Sequence, residues 1–335
     1  MGITVIGSLN YDLVTYTDRI PGAGETMRAN VFETHTGGKG LNQAIAIAKL
    51  KQEDSKYAVK MVGNVGNDSF GVELVNILKE NKIETSDVGV LSDVKTGIAT
   101  ILVEQKKGAQ NRILITEGAN GKTVYKDEAL ESIFVKNEDE KQFVVLQHEI
   151  PDPCSIIRWI KKKHPKYQVV FNPSPFQPLN KEDWLLIDVL IVNEIEALQI
   201  VCSVYTQDEI TKHENDIKED FINGYKILCQ KFQKFLVNQH SSIATVIITL
   251  GANGALFSSR DHPNVGYAPA CSNVTVVDTT GAGDTFIGAC VTQLYQNTRL
   301  EKVIDFATSA SSITIQNKGA AESIPYYNDV LKCLP

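Results

Sequence analysis

The run Val276-Val277-Asp278-Thr279-Thr280-Gly281-Ala282-Gly283-Asp284-Thr285-Phe286 carries the most legible chemistry in the chain. An apolar extended stretch ends at Asp278, Gly281 and Gly283 let the backbone turn without Cβ crowding, and an apolar helix begins. Free amides at a helix start, together with the helix dipole, form a cup for an anion. A carboxylate in that cup repels a phosphate. Asp284 belongs there if it takes a proton from a hydroxyl that attacks phosphorus, while the amides hold the charge of the group in transfer. The other reading is that Asp284 caps the helix, and spacing alone does not choose between them.

A second run, Gly37-Gly38-Lys39-Gly40-Leu41-Asn42-Gln43-Ala44, suits a polyhydroxy ligand. Its glycines permit close approach, and the Asn42 amide offers both a donor and an acceptor. Lys39 suits a phosphate clamp or a solvated lysine at a helix start, and both stay open. Two familiar nucleotide patterns are missing. Gly7 leads into Ser8-Leu9-Asn10 where a dinucleotide fingerprint would need further glycines. The segment Gly118-Ala119-Asn120-Gly121-Lys122-Thr123 only partly matches a phosphate loop and reads as a turn.

Stepping outward, the elements that must position these residues alternate β with α. Strands are expected at Ile3–Ile6, Val59–Val62, Gln142–Leu146, Val169–Phe171, Val189–Val192 and Val246–Leu250. Helices are expected at Leu41–Leu50, from an Asp68-Ser69 cap to Leu78, at Pro153–Lys162, Glu194–Val201 and Phe221–Leu236, and in the tail at Gly281–Tyr295 and Leu300–Ile315. This predicts an α/β fold in one domain, residues 1–335: a mostly parallel central sheet with helices on both faces. Residues 12–36 and 85–115 instead hold consecutive alternating strands, expected to form antiparallel ribbons outside the main sheet, as a small β-sheet flap beside it. The polar stretch Thr206–Asp220 reads as an exposed insertion.

Composition sets the outer bounds. The 335 residues are 43% hydrophobic and 22% charged, enough for a sizeable core. Against 40 acidic residues stand 33 basic ones, for a net charge of −7, which argues against a nucleic-acid or anionic-membrane partner. No apolar run reaches the roughly 18 to 20 residues of a membrane span. The opening Met1-Gly2-Ile3-Thr4-Val5-Ile6 has no basic flank of a secretory signal, and Ile6 stands where N-myristoylation wants Ser or Thr. Cys154, Cys202, Cys229, Cys271, Cys290 and Cys333 are scattered singly, as reduced thiols are, and the Asn67 and Asn273 glycosylation matches read as chance. The expected location is cytoplasmic, with the nucleus as a second compartment.

The run Asp278–Asp284 resembles the D-T-x-G-A-G-D signature of the carbohydrate kinase family that includes ribokinase, fructokinase and adenosine kinase, and Gly37–Ala44 resembles its G-G-K-G-x-N-Q-A signature. Smaller elements follow in the family's order. Asn10 and Asp12 resemble its sugar-contacting pair, and Glu149 its glutamate near sugar and metal-bound phosphate. Asn193 and Glu196 resemble the N-x-x-E motif of the Mg²⁺–phosphate assembly. Thr249-Leu250-Gly251-Ala252-Asn253-Gly254 resembles the T-L-G-x-x-G turn at the nucleotide phosphates. Thr308 falls where the family places a residue near the adenine, usually a different side chain. The pair Asn10/Asp12, the glycine run and the tail Asn317–Pro325 resemble most the ribokinase branch, its fungal forms in particular.

The resemblance implies a Rossmann-like fold with a β lid and transfer of the ATP γ-phosphoryl group to the 5-hydroxyl of D-ribose. Asp284 is the implied base. Gly281, Ala282 and Gly283 are the implied anion cup, and Asn10, Asp12, Gly38, Lys39, Gly40, Leu41, Asn42 and Glu149 the implied sugar contacts. It further implies Mg²⁺ and a K⁺ site made by Asp278, Thr280, Thr314, Asn317, Gly319 and Ser323, several through carbonyls. A homodimer through the lid is implied as well. Sibling kinases of fructose, a keto-deoxy sugar acid or adenosine, and a non-catalytic sugar sensor, are the alternatives.

Overall fold

Runs such as Val144-Val145-Leu146 and Leu190-Ile191-Val192 are apolar on both sides of the pleat, which only a sheet covered on both faces accommodates. The computed structural model describes residues 2–107, 110–134 and 141–334. In chain order it contains β1 (Gly2–Ile6), β2 (Asn10–Thr17), β3 (Val31–Gly37), α1 (Lys39–Leu50), β4 (Ala58–Gly66), α2 (Ser69–Glu80), β5 (Glu84–Leu91), β6 (Gly97–Glu104) and β7 (Gln110–Thr116). There follow α3 (Asp127–Ile133), β8 (Gln142–Gln147), α4 (Pro153–Lys163), β9 (Gln168–Asn172), α5 (Lys181–Trp184), β10 (Val189–Asn193), α6 (Glu194–Val204), α7 (Gln207–Glu219) and α8 (Phe221–Phe235). The chain closes with β11 (Thr245–Thr249), β12 (Ala255–Ser259), β13 (Gly266–Ala268), α9 (Ala282–Tyr295), α10 (Leu300–Thr314) and α11 (Tyr327–Leu331).

The large sheet runs β13-β12-β11-β10-β9-β8-β1-β4-β5, with every pairing parallel except the two that the reversed strand β12 makes near one edge. Because side chains alternate across a strand, each strand feeds two cores. Val5, Val145 and Ile247 pack with Leu41 and Ile45 of α1, Cys290 of α9 and Ile304 of α10. Ile6, Val144, Leu146 and Ile248 pack with Ile157 of α4, Ile200 of α6 and Leu228 of α8 on the other face. The strand order reverses between β1 and β8, and the crevice outside their C-terminal ends is where open α/β sheets take ligands. Ser8, just past β1, donates its hydroxyl to Glu149, just past β8, across that crevice.

The small sheet runs β3-β2-β6-β7. β2 and β6 start, and β3 ends, on one transverse row, in which Asn10 of β2 lies opposite Gly37 of β3 on one side and Gly97 of β6 on the other. Two expectations change here. Of the stretch 85–115, β5 belongs to the large sheet, paired parallel to β4, and β2 and β6 are also parallel. An edge strand alternates in the same way as a free ribbon, and Val88 of β5 packs against the first core. The stretch Thr206–Asp220, read as an exposed insertion, is mostly exposed and forms helix α7. A capping box of Thr206 and Glu209 starts α7, and Ile210 and His213 are buried beneath it.

Among the described residues no helix is long and apolar enough to cross a membrane. All six cysteines are free, and burial pushes the Cys154 thiol up to about 12.

Candidate active site

Asp284 stands in the first turn of α9, at the third helical position after the Gly281 cap. Gly281 has φ 76°, and a Cβ there would press within 2.9 Å of Ala320, so the turn needs glycine on both counts. The Ala282 N–H bonds to Thr279 O at 3.3 Å. Gly283 and Asp284 follow it in the turn, where a helix leaves N–H groups without an internal acceptor, and both residues line a cavity of about 270 Å³. The open donors of the cup are thus Gly283 and Asp284 more than Ala282.

The Asp284 carboxylate is 8% exposed and held from α1. Asn42 Nδ2 donates to Oδ2 at 3.1 Å and Gln43 Nε2 to Oδ1 at 3.0 Å. Helical spacing makes this possible, because residues one turn further along, Ala46 and Gly288, bring the two helices into close contact. Lys39, the first residue of α1, lines the same cavity. Burial works against its charge, but the Asp284, Glu149 and Glu196 carboxylates outweigh it and hold its pKa above the ordinary lysine value. This setting favours the phosphate clamp over the solvated lysine.

Behind Lys39, Glu149 accepts the Lys39 N–H at 2.9 Å and the Ser8 hydroxyl. Gly38, at φ 91°, lies so close to the β1–β2 connection that a Cβ would meet Asn10 N at 2.7 Å. Gly40 and Leu41 complete the approach, with Leu41 N donating to Ser8 O at 3.0 Å. Asn10 is buried and its Oδ1 accepts from Asn120 Nδ2 at 2.7 Å. Asp12 faces Gly37. Burial, then the neighbouring Glu149 charge, push its carboxyl up to about 7. Asn42 Oδ1 is buried with no protein donor among the described residues, as a group waiting for a ligand hydroxyl would be.

On the opposite wall Asn193 and Glu196 form a capping box at the start of α6, and both line the cavity. Asn193 Oδ1 accepts from Glu196 N at 2.8 Å, and Glu196 Oε2 accepts from Asn193 N at 3.1 Å. Thr249 ends β11 on the same wall. The rest of its motif turns away from the cavity lining: Leu250 packs into the second core, Gly251, Ala252 and Asn253 are exposed in one 3₁₀ turn, and Gly254 returns to donate to Gly251 O. Thr308 lies on α10 with its hydroxyl buried and does not line the cavity.

Beside the cup, Asp278 Oδ1 accepts from Thr280 N at 2.9 Å and from the Thr280 hydroxyl at 2.7 Å, and Oδ2 accepts from Gly319 N at 3.0 Å. Burial opposes ionisation of Asp278, but these bonds outweigh it and lower its pKa. Thr314 Oγ1 lies 3.0 Å from Thr285 Oγ1, Ser323 Oγ donates to Ala320 O, and the exposed Asn317 donates its amide to Ile313 O. Of these six residues, the bonds bring together Asp278, Thr280 and Gly319, while Thr314, Asn317 and Ser323 are each bonded to other partners.

Four polar residues of the site were not singled out from sequence. Gln43 holds Asp284, and Gln147 holds Gln43. Asn172 Nδ2 donates to Ile191 O at 3.0 Å, with Glu196 Oε2 further off at 3.4 Å, while Asn120, in the turn that imitates a phosphate loop, orients Asn10. Ser174, Thr279, Phe286 and Ile287 also line the cavity.

A carboxylate beside free helix-start amides, at the crevice of a parallel α/β sheet, is the arrangement of a phosphoryl-transfer enzyme. The pfkB family carbohydrate kinase pattern matches residues 2–326, and the chain belongs to that family. Among its relatives, the ribokinase of Schizosaccharomyces pombe is 37% identical over 97% of this chain and 95% of its own length. The solved ribokinase of Giardia lamblia is similar with a TM-score of 0.79 at 27% identity, covering 99% of this chain and 98% of that one. The Arabidopsis thaliana ribokinase complexed with ribose and ATP has a TM-score of 0.77 at 28% identity, covering 99% and 97%.

Proposed function

We propose that this chain transfers the γ-phosphoryl group of ATP to the 5-hydroxyl of D-ribose, giving D-ribose 5-phosphate and ADP. The observation that carries the reading is the buried Asp284 carboxylate, fixed by Asn42 and Gln43 at the mouth of the α9 amide cup. The likeness to ribokinases, one of them solved with ribose and ATP, supports the choice of sugar and nucleotide.

Asn10, Asp12, the Gly38–Asn42 segment and Glu149 hold the sugar so that its primary hydroxyl meets Asp284. Asp284 takes the proton as the hydroxyl oxygen attacks phosphorus, and the bond from phosphorus to the ADP oxygen breaks. The Gly283 and Asp284 N–H groups and the Lys39 ammonium face the charge on the transferring oxygens. Thr249 and Asn193 border the nucleotide side of the cavity, and the rest of the T-L-G-x-x-G turn and Thr308, which lie off the cavity lining, keep a nucleotide role only through the family resemblance. Among the described residues no three His, Cys, Asp or Glu side chains gather to cage a metal. Glu196 has an oxygen to spare at the cavity, which fits an Mg²⁺ held mainly by ATP phosphates, with Asn193 beside it. When bound there, Mg²⁺ neutralises charge on the phosphate oxygens. The Asp278, Thr280, Thr314, Asn317, Gly319 and Ser323 oxygens would hold K⁺ beside the cup.

The small sheet acts as a lid over the sugar and keeps out water, a competing acceptor. Its Val31, Phe32, Ile113, Leu114 and Ile115 are exposed apolar residues, which supports pairing with the lid of a second copy as a homodimer. A cytoplasmic location, with the nucleus as a second compartment, goes with unpaired thiols.

The test is Asp284→Asn with a coupled ADP-release assay on ribose, fructose, ribulose and adenosine. Wild type should prefer ribose. The variant should bind ribose nearly as well, yet lose the ~10² to 10⁴ in turnover that a general base supplies. Near wild-type turnover by the variant would overturn the reading, and a preference for another acceptor would overturn the sugar.

A further inference from the structure

Gln43 and Gln147 are both fully buried, and their amides form a chain that ends on Asp284. Gln147 Nε2 donates to Gln43 Oε1 at 2.7 Å, and Gln43 Nε2 donates to Asp284 Oδ1 at 3.0 Å. The direction of this chain is set by chemistry. An ionised carboxylate only accepts, so Gln43 must turn its NH₂ toward Asp284 and its oxygen toward Gln147. Gln147 must then donate, and its own Oε1 is left without a donor among the described residues, against the bare Cα of Gly7. A buried acceptor without a partner is unfavourable, so the fold tolerates one at the far end of the chain to keep the near end in order.

The two ends of an amide have almost the same shape, so packing alone does not choose between them. Besides Asp284, the groups that bear on the choice are Asn172 Oδ1, at the outer limit of reach 3.5 Å from Gln43 Nε2, and Gln147, much closer at 2.7 Å from Gln43 Oε1. With Gln43 reversed, an oxygen would stand 3.0 Å from Asp284 Oδ1 in place of a donor. We propose that Gln147 is a positioning residue: acting through Gln43, it fixes which way that amide faces and so holds the Asp284 carboxylate in the plane that meets the sugar hydroxyl. Asn42 steadies Oδ2 from the other side, so Gln147 governs the half of the carboxylate that Asn42 does not. Its place at the end of β8, two residues before Glu149, ties the orientation of the base to the strand that also anchors Lys39. This rests on the reading of Asp284 as the proton acceptor.

The test is Gln147→Glu, which exchanges one NH₂ for an oxygen at nearly constant shape. A neutral glutamic acid can still donate to Gln43 Oε1. An ionised one can only accept, and competes with Asp284 for the Gln43 NH₂. Burial raises the pH at which a carboxyl ionises, so the exchange should occur within the assay range. The kcat ratio of variant to wild type should be within about threefold of unity near pH 6 and fall at least about tenfold by pH 8, with KM for ribose changing much less. Gln147→Met, which favours neither direction, should give a smaller loss that does not vary with pH. A ratio for Gln147→Glu that is flat with pH, in a variant that stays folded by thermal melting, overturns the proposal. Should that variant melt at pH 8, the cycle of Gln43→Met and Gln147→Met decides. A double variant no slower than Gln43→Met alone supports the chain, and independent, multiplying losses overturn it. Near wild-type turnover by Asp284→Asn would instead remove the underlying reading.

Discussion

Replacing Gly288 by alanine should damage turnover from a position that touches no substrate. Gly288 lies one turn beyond Asp284 on α9 and faces Ala46, one turn beyond Asn42 on α1. A Cβ there would sit 2.4 Å from Ala46 Cβ and 3.0 Å from Ala46 C and Ile47 N. Carbon atoms rest at about 3.5–4.0 Å, so the helices must part locally by about 1 Å or a little more. Adding that to the 3.1 Å and 3.0 Å bonds from Asn42 and Gln43 to Asp284 carries both beyond hydrogen-bond reach. Overpacking costs about 1–3 kcal/mol, and the better helix propensity of alanine returns about 1 kcal/mol. The net loss of about 0–2 kcal/mol should lower Tm by only a few degrees in a chain of this size. A displacement of about 1 Å at a reacting group costs about 10² in rate. Gly288→Ala is therefore expected to melt a few degrees early and to turn over about a hundredfold more slowly in an ADP-release assay at saturating ribose and ATP. A kcat within threefold of wild type would refute the idea that the approach of α1 to α9 sets the position of Asp284.

Gly283→Ala is the converse case. A Cβ at Gly283 meets nothing within 4 Å and lines the cavity, so melting should not move, whereas turnover should fall at least about tenfold as the methyl fills the phosphoryl space. Unchanged turnover would place the phosphoryl group elsewhere. Asp12 is expected to make stability depend on pH. Its folded pKa of about 7 lies above the ordinary aspartate value of 3.8, so the folded state holds the proton more tightly and stability falls as pH rises between those values. Asp12→Asn should gain Tm over wild type progressively from about pH 4 to about pH 7, then hold that gap. A gap constant across the range would show that Asp12 ionises normally. The oxygen set around Asp278 is expected to give faster turnover in K⁺ than in Na⁺ at equal ionic strength, and equal rates would remove the site.

The parallel sheet and its helices were readable because strands buried on both faces are apolar throughout, and because Asp68 and Pro153 mark helix starts. The glycine turn that opens α9 was readable for a similar reason: glycine spacing and a helix start are local properties. What escaped depends on distant partners. Gln43 and Gln147 stand 104 residues apart, and Gln43 and Asp284 stand 241 apart, so nothing near any of them marks the chain they form. Asn120 lay within a motif dismissed as a turn, and its bond to Asn10 exists only because the β6–β7 ribbon brings that turn back to β2. The Thr206–Glu209 capping box, by contrast, was visible as T-x-x-E and was obscured by the polar residues around it.

The row Gly37–Asn10–Gly97 has a mechanical meaning. All three strands leave the body of the protein along one short line, so the small sheet is hung like a door on its jamb. Any swing of that door turns about an axle through Asn10, which travels least, while Phe32 and Leu114, set further along the strands, travel further. Under the proposed function, such a lid would open wide at its outer margin while the sugar contact at Asn10 hardly shifts.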